Sequence, residues 1–520
     1  MRAFRSAANF GAASNIYRKS FTPASIASNR FVSARMSSIM TDNARPNTDK
    51  VVQDIADYIH DYKIDSSVAM ETARLCFLDT LGCGLEGLKY QQCANIVGPV
   101  VPGTIVPNGT KVPGTDYQVD PIRGAFNIGT IIRWLDFNDC WLAAEWGHPS
   151  DNLGGILAVA DWQTRSAKAG LEGKVFKVKD VLEAMIKAHE IQGGLAIENS
   201  FNRVGLDHVV LVKIASTAVV SGMLGLSREQ TADAISQAFV DGQSLRTYRH
   251  APNTMSRKSW AAGDATSRAV NLALLVKKGE GGMPSILTAK TWGFYDVLFG
   301  GKEFKFQRPY GSYVMENVLF KISFPAEFHA QTACESAMLL HAELKKLGKT
   351  SDDIASIKIR TQEAAMRIID KKGPLHNYAD RDHCIQYMVA VPLIHGRLTA
   401  DDYTDEIAAD PRIDALREKM ECVEDKRFSE EYHAPDKRYI GNAIEITLKD
   451  GTVLNEIEVN YPIGHRQRRE EGTPVLLEKF ARHLRGRFPE GQVEKILAAS
   501  NQDIVNMDID EYVDLYVKKD

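Results

Sequence analysis

The chain has 520 residues, of which 63 are basic and 67 acidic, giving a formal charge of −4, with 44% hydrophobic and 25% charged residues. These are the proportions of a globular protein, and the acidic excess, larger still without the basic first segment, argues against nucleic acid as a bulk partner. The cysteines at 76, 83, 93, 140, 334, 384 and 422 include no CxxC pair, so structural zinc and the common iron–sulfur clusters find no support.

In chain order, the first segment carries Arg2, Arg5, Arg18, Lys19, Arg30 and Arg35 among serines and alanines, with no acid before Asp42. That composition predicts a mitochondrial transit peptide over 1–40, a matrix location, and free buried thiols rather than disulfides. Without those six positive charges the formal charge falls from −4 to −10, so a small anionic substrate needs a local cationic pocket.

Val51, Val52, Ile55, Ile59 and Tyr62 recur at helical spacing, and Ser66–Ser67 are candidate caps for a second helix through Leu81. Residues 98–116, rich in Pro, Gly and Thr, read as a loop or hairpin. Further helices are predicted over 122–136, 152–163, 178–192, 208–225, 228–240 and 259–277. The most apolar stretch, Val209 to Leu226, contains Lys213, Ser216, Thr217 and Ser221 and predicts a buried helix rather than a membrane span.

After about residue 317 the character changes. Ile354, Ile357, Ile359 and Thr361 predict a strand, and 443–448 with 452–459 predict a hairpin around Asp450-Gly451. The charge-rich stretch 403–436 reads as helix plus linker, and 474–519 returns to helix. The predicted fold is mainly α with an inserted α+β domain: a helical domain over 45–317 completed by 471–520, and a smaller lid over 318–470.

Gly82-Cys83-Gly84-Leu85-Glu86-Gly87 matches GxGxxG literally, but a helical pattern precedes it and no acid follows between Lys89 and Thr115, against a dinucleotide loop. His189-Glu190 lacks the second histidine of a zincin, and no GxSxG or Walker loop occurs.

Several cationic or titratable residues fall where helices are predicted to begin: His148 before Leu153, His208 before Val209, Arg257-Lys258 before Trp260, Lys321 ahead of Pro325, and Arg381-Asp382-His383. Helix N-termini favour anions, so converging starts of this kind predict a polyanion pocket. Asp136 lies twelve residues before His148; it either faces the same pocket or stops a helix. His465, in a dense basic run, contributes to carboxylate binding or to a solvated or interdomain face.

Leu135-Asp136-Phe137-Asn138-Asp139, His148-Pro149-Ser150, Asp207-His208, Arg257-Lys258-Ser259-Trp260-Ala261, Phe324-Pro325-Ala326, Arg381-Asp382-His383-Cys384-Ile385-Gln386-Tyr387 and Tyr461-Pro462 with Gly464-His465 resemble the MmgE/PrpD family over about residues 50–515. The resemblance implies a helical domain built from both chain ends, an α+β lid and a homodimer. It implies dehydration of 2-methylcitrate to 2-methyl-cis-aconitate without an iron–sulfur cluster; the sequence itself gives no expectation of a cofactor, a metal, a membrane or a nucleic-acid partner, and a divalent-ion requirement stays open.

The family also contains a cis-aconitate decarboxylase that makes itaconate. Its pocket maps onto Asp136, His148, His208, Lys258 and Lys321, but Cys140 and Glu327 stand where threonine and histidine are expected, which favours dehydration. A non-catalytic carboxylate-binding relative is the remaining alternative. Such a dehydration needs a base, an acid for the leaving hydroxyl and cations on the carboxylates. The expected proton-transfer residues are His148 and His208, aided by Asp136. Lys258, Arg257 and Lys321 are expected to polarise and bind carboxylates, with His383 and His465 as further substrate contacts.

Overall fold

A computed structural model describes residues 43–434 and 437–518; the expected transit peptide lies outside the described residues. Among the described residues eight long helices come first: α1 Lys50–Asp61, α2 Ser67–Gly87, α3 Pro121–Arg133, α4 Leu153–Lys168, α5 Val178–Glu198, α6 Val209–Met223, α7 Arg228–Val240 and α8 Arg257–Lys277. The local causes are ordinary. Ser66 Oγ accepts from the Ala69 amide, and Asp120 caps α3 behind Pro121 at its first position. Ser227 and Gln230 close a capping box on α7.

Most of α2 is buried, so it continues past Leu81 through the glycine-rich string. Those glycines are helix contacts: a Cβ at Gly84 would lie 3.0 Å from Ile131, and one at Gly87 2.7 Å from the Ile131 carbonyl. Helix α6 is buried along nearly its whole length, and no described helix is long and apolar enough to cross a membrane.

The expected hairpin region is a short ribbon, β1 Thr110–Lys111 with β2 Gln118–Val119. The second part of the chain holds α9 Gln331–Lys346, β3 Ile354–Thr361, α10 Ile385–His395, β4 Met420–Glu424, β5 Asn442–Leu448 and β6 Ile457–Val459. The sheet order is β4-β3-β5-β6, parallel between β3 and β4 (Ile359 opposite Cys422) and antiparallel elsewhere (Ile357 opposite Ile446, Asn442 opposite Val459). The β5–β6 connection turns at Gly451, whose φ of 89° suits glycine.

Strand β4 lies inside the stretch expected as helix plus linker. It is a five-residue edge strand between charges, too short and too exposed to show a period of its own. The chain ends in α11 Arg469–Arg485 and α12 Glu490–Ala499, followed by short turns of helix.

Two main apolar clusters form. One joins Val52, Phe77, Ile128, Leu157 and Ile214 to Leu476, Phe480 and Tyr512 near the chain's end. The other joins Leu340, Ile357, Met388 and Ile446. In the first, α3, α4 and α8 meet at glycines: a Cβ at Gly129 would lie 2.8 Å from Gly263 Cα, and one at Gly154 2.9 Å from Gly129 Cα. That close approach gathers the end of α3 and the starts of α4 and α8 at one place.

All seven cysteines are free.

Candidate active site

The gathered helix ends enclose a cavity lined by Arg133, Asp136, His148, His208, Lys321 and His383, with Cys140, Trp146, Phe328 and Ile368 as its apolar wall. Its free volume is about 20 Å³, room for roughly one water-sized sphere.

Asp136 leaves α3 in the left-handed region, φ 51°. Its carboxylate pairs with Arg133 and with Lys321 Nζ at 2.9 Å, and lies 3.4 Å from His148 Nε2. Burial alone would raise its pKa, but Arg133, Lys321 and His148 hold it well below the usual carboxylate range.

His148 Nδ1 is 2.6 Å from the Asp139 carbonyl. A carbonyl only accepts, so Nδ1 carries the hydrogen, and in the neutral ring Nε2 is left with a lone pair. Burial, with Arg133 beside it, pushes the His148 pKa well below the usual histidine value although Asp136 opposes the shift. The His208 ring centroid lies 5.5 Å from that of His148, and neither of its ring nitrogens has a hydrogen-bond partner among the described residues. Burial lowers its pKa too, against Asp207 and with Arg249 and Arg246.

The second wall comes from the break between two helices. Asp382 and His383 were expected to open a helix; instead a single turn ends at Arg381 and α10 starts at Ile385. Lys258 Nζ donates to both Asp382 oxygens, at 2.7 and 2.8 Å, and lies 3.1 Å from His383 Nδ1. Lys258 is therefore committed to a carboxylate at the cavity's edge. Glu327 accepts from His329 Nδ1 at 2.8 Å; burial would raise its pKa, but His329 holds it low.

Asp136, His148, His208, Lys321 and His383 thus come together, with Lys258 behind His383. Two expected residues do not join them. Arg257 precedes Lys258 by one residue, so its side chain leaves α8 in a different direction. It pairs with Asp264 at 3.2 Å, lies 4.3 Å over the Trp260 ring and faces an outer groove with Lys213 and Arg268. His465 caps a 3-10 turn by accepting from the Gln467 amide at 3.2 Å and lines a separate cleft with Trp141 and Tyr313. Lys321 stands on an extended segment rather than at a helix start.

The cavity also holds cations that the sequence reading passed over: Arg133, Arg246 and Arg249. Arg249 is bound to Asp207. Arg246 Nε and Nη1 have no hydrogen-bond partner among the described residues, and its nearest carboxylates, Glu145 and Asp207, are 3.8 and 3.9 Å away. The one available signal was the spacing Arg246-x-x-Arg249-His250.

Among the described residues, Cys76, Asp139 and His189 are close enough to share a metal. His189 Nε2 lies 2.8 Å from Asp139 Oδ2, and the Ser150 amide donates to Asp139 Oδ1 at 3.0 Å. Burial raises the Cys76 thiol well above its usual value, and its Sγ donates towards Asp139 Oδ2 at 3.7 Å.

Two family models match: the MmgE/PrpD N-terminal domain over residues 53–307 and the MmgE/PrpD C-terminal domain over 324–503. The chain is 99% identical to the mitochondrial 2-methylcitrate dehydratase of Yarrowia lipolytica over 100% of both chains. It is 67% identical to a probable 2-methylcitrate dehydratase of Saccharomyces cerevisiae over 94% of this chain and 96% of that one. It is 63% identical to the 2-methylcitrate dehydratase of Escherichia coli over 92% of this chain and 100% of that one.

Proposed function

The chain belongs to the MmgE/PrpD family, and on that premise we propose that the cavity around Asp136, His148, His208 and Lys321 is where it works. The protein is a mitochondrial hydro-lyase that converts 2-methylcitrate to 2-methyl-cis-aconitate in propionate catabolism. The decarboxylase and non-catalytic alternatives are not favoured, since the relatives above carry the dehydratase name.

The observation that carries the site is the lone pair of His148 Nε2, fixed by the Nδ1 bond to the Asp139 carbonyl and facing a buried cationic cavity. In our reading His148 Nε2 takes the proton from the carbon next to a substrate carboxylate. Lys321 and Arg133 stabilise the charge that develops there. Arg246, whose Nε and Nη1 lack hydrogen-bond partners, binds a second carboxylate. His208 gives its proton to the departing hydroxyl, which leaves as water. A bound tricarboxylate raises the low pKa of His208 by placing negative charge beside it, so the ring carries that proton in the complex. Lys258, through Asp382, holds His383 at the rim.

A tricarboxylate does not fit in about 20 Å³. Entry therefore requires the two walls to part, and the α+β part over 318–470 acts as the lid of a helical domain made from both chain ends. We take the working form to be a homodimer.

The test is separate incubation with 2-methylcitrate and with cis-aconitate. An unsaturated tricarboxylate from the first and no itaconate from the second is expected. Itaconate with CO₂ from cis-aconitate, and no turnover of 2-methylcitrate, would overturn the reading.

A further inference from the structure

Lys479 stands on α11 and is buried, with 1% of its surface exposed. Its ammonium meets three acceptors: the Asp79 carboxylate at 2.8 Å, the Phe137 carbonyl at 2.9 Å and the Lys321 carbonyl at 2.6 Å. The two carbonyls take hydrogen bonds, while the Asp79 contact is an ion pair whose carboxylate oxygens have no hydrogen-bond partner among the described residues. Two of the acceptors belong to the cavity's own segments: Lys321 itself and the residue that follows Asp136. Lys321 Nζ in turn donates to the Asp136 carbonyl at 2.8 Å. The consecutive carbonyls of 136 and 137 therefore each take an ammonium, one from the cavity side and one from the core side. They do so where Asp136 has φ 51°, a conformation that a non-glycine residue keeps only when its surroundings fix it.

The helix contact that delivers Lys479 involves the glycine string of α2. A Cβ at Gly82 would lie 3.2 Å from Phe480 Cδ2 and 3.3 Å from His483 Nδ1. Gly82 is one turn beyond Asp79, so a missing side chain there lets α11 lie close enough for Lys479 to reach the Asp79 carboxylate. The string that mimics a nucleotide loop has its first glycine in this contact.

We propose that Lys479, held by Asp79, is a positioning residue for the dehydration. It fixes the main chain at Phe137 and Lys321, and so keeps the Asp136 carboxylate and the Lys321 ammonium aimed into the cavity. This rests on the reading that Asp136 and Lys321 act on the substrate.

The test is Lys479→Met, assayed for kcat and KM on 2-methylcitrate at a temperature where its melt shows it folded, beside Lys479→Arg, Lys321→Met and Val493→Ala. Val493 is buried on α12, away from the cavity, and reports what core destabilisation alone does. We expect Lys479→Met to lose about 10²-fold in kcat, the scale of a displacement of about 1 Å at a reacting site. Lys479→Arg should recover part of that loss, and Val493→Ala should keep the parent kcat. A folded Lys479→Met with kcat within about threefold of the parent, while Lys321→Met is inactive, overturns the positioning role alone. Parent-like turnover in Lys321→Met overturns the cavity reading beneath it. If Lys479→Met does not fold, Asp79→Asn decides: at least a fivefold loss of kcat supports the proposal, and parent kcat overturns it.

Discussion

On one wall of the cavity, Asp136, His148 and Lys321 stand on segments stitched together by main-chain bonds. Cys140 and Leu319 exchange amide bonds of 2.7 and 3.0 Å, and Trp141 and Gly147 exchange bonds of 2.8 and 3.0 Å. On the other wall, Asp382 and His383 sit in a break between two helices. They reach the first wall through the Lys258–Asp382 pair, 124 residues apart in sequence. The contrast separates two jobs. Groups that must hold an angle to within a fraction of an ångström stand on the stitched wall; the groups we propose to meet the substrate on closure stand on the other, which is held by the Lys258–Asp382 pair, the Glu327 amide bond to the Asp382 carbonyl and the Asn377 bond to the Thr254 carbonyl.

The largest way to break this contrast is on the stitched wall. Lys321→Met should lower kcat/KM on 2-methylcitrate by about 10²- to 10³-fold, the scale of losing one preorganised group from a developing anion, with little change in folding. Steady-state kinetics beside a thermal melt checks it.

On the other wall, Lys258→Met leaves Asp382 buried without its ammonium. We expect a loss of about 3 kcal/mol, the lower range for removing one partner of a buried pair, read as a fall in melting temperature together with a raised KM. A variant with parent stability would show that the pair is not what holds the walls together.

A smaller effect concerns pH. His148 and His208 have lowered pKa values, so both rings are neutral at pH 7 in the free enzyme and gain charge only well below 6.5. The acid, His208, must gain a proton that it lacks in the free enzyme, so kcat/KM should rise as pH falls towards 6.5 and turn down only where His148 takes up a proton, well below 6.5. Stability should decline in the same direction, since the unfolded chain takes up these protons first. An acid limb centred at or above 6.5 would contradict the neutral assignment.

The smallest expected effect is Arg257→Ala. This residue faces the outer groove, so turnover should stay within about threefold of the parent and stability within about 0.5 kcal/mol.

Much of this architecture was legible in the sequence, because helices announce themselves by local period and caps. The helical first half, the strand at 354 and the Asp-Gly hairpin follow from spacing alone; the motif at Asp136 follows a helix end, and those at His148 and His208 precede helical turns. What escaped depends on contacts between distant segments. Arg133 lies on the buried face of α3 and Lys479 on that of α11, where a long cationic side chain reads like any that lays its stem on a core. Arg246 and Arg249 are the two ends of a four-residue 3-10 turn, too short to show a period. Arg257 and Lys258 are adjacent in sequence and diverge only through the helix's rotation, and β4 became a strand only because β3 lay beside it.

The central claim is that His148, with Nε2 freed by its Nδ1 bond, removes the substrate proton on the stitched wall. The most direct measurement is turnover of 2-methylcitrate by folded His148→Ala. The account predicts a loss of about 10³-fold in kcat, within the range for one proton-transfer residue, at a melting temperature close to the parent's. Near-normal turnover in that folded variant would contradict it.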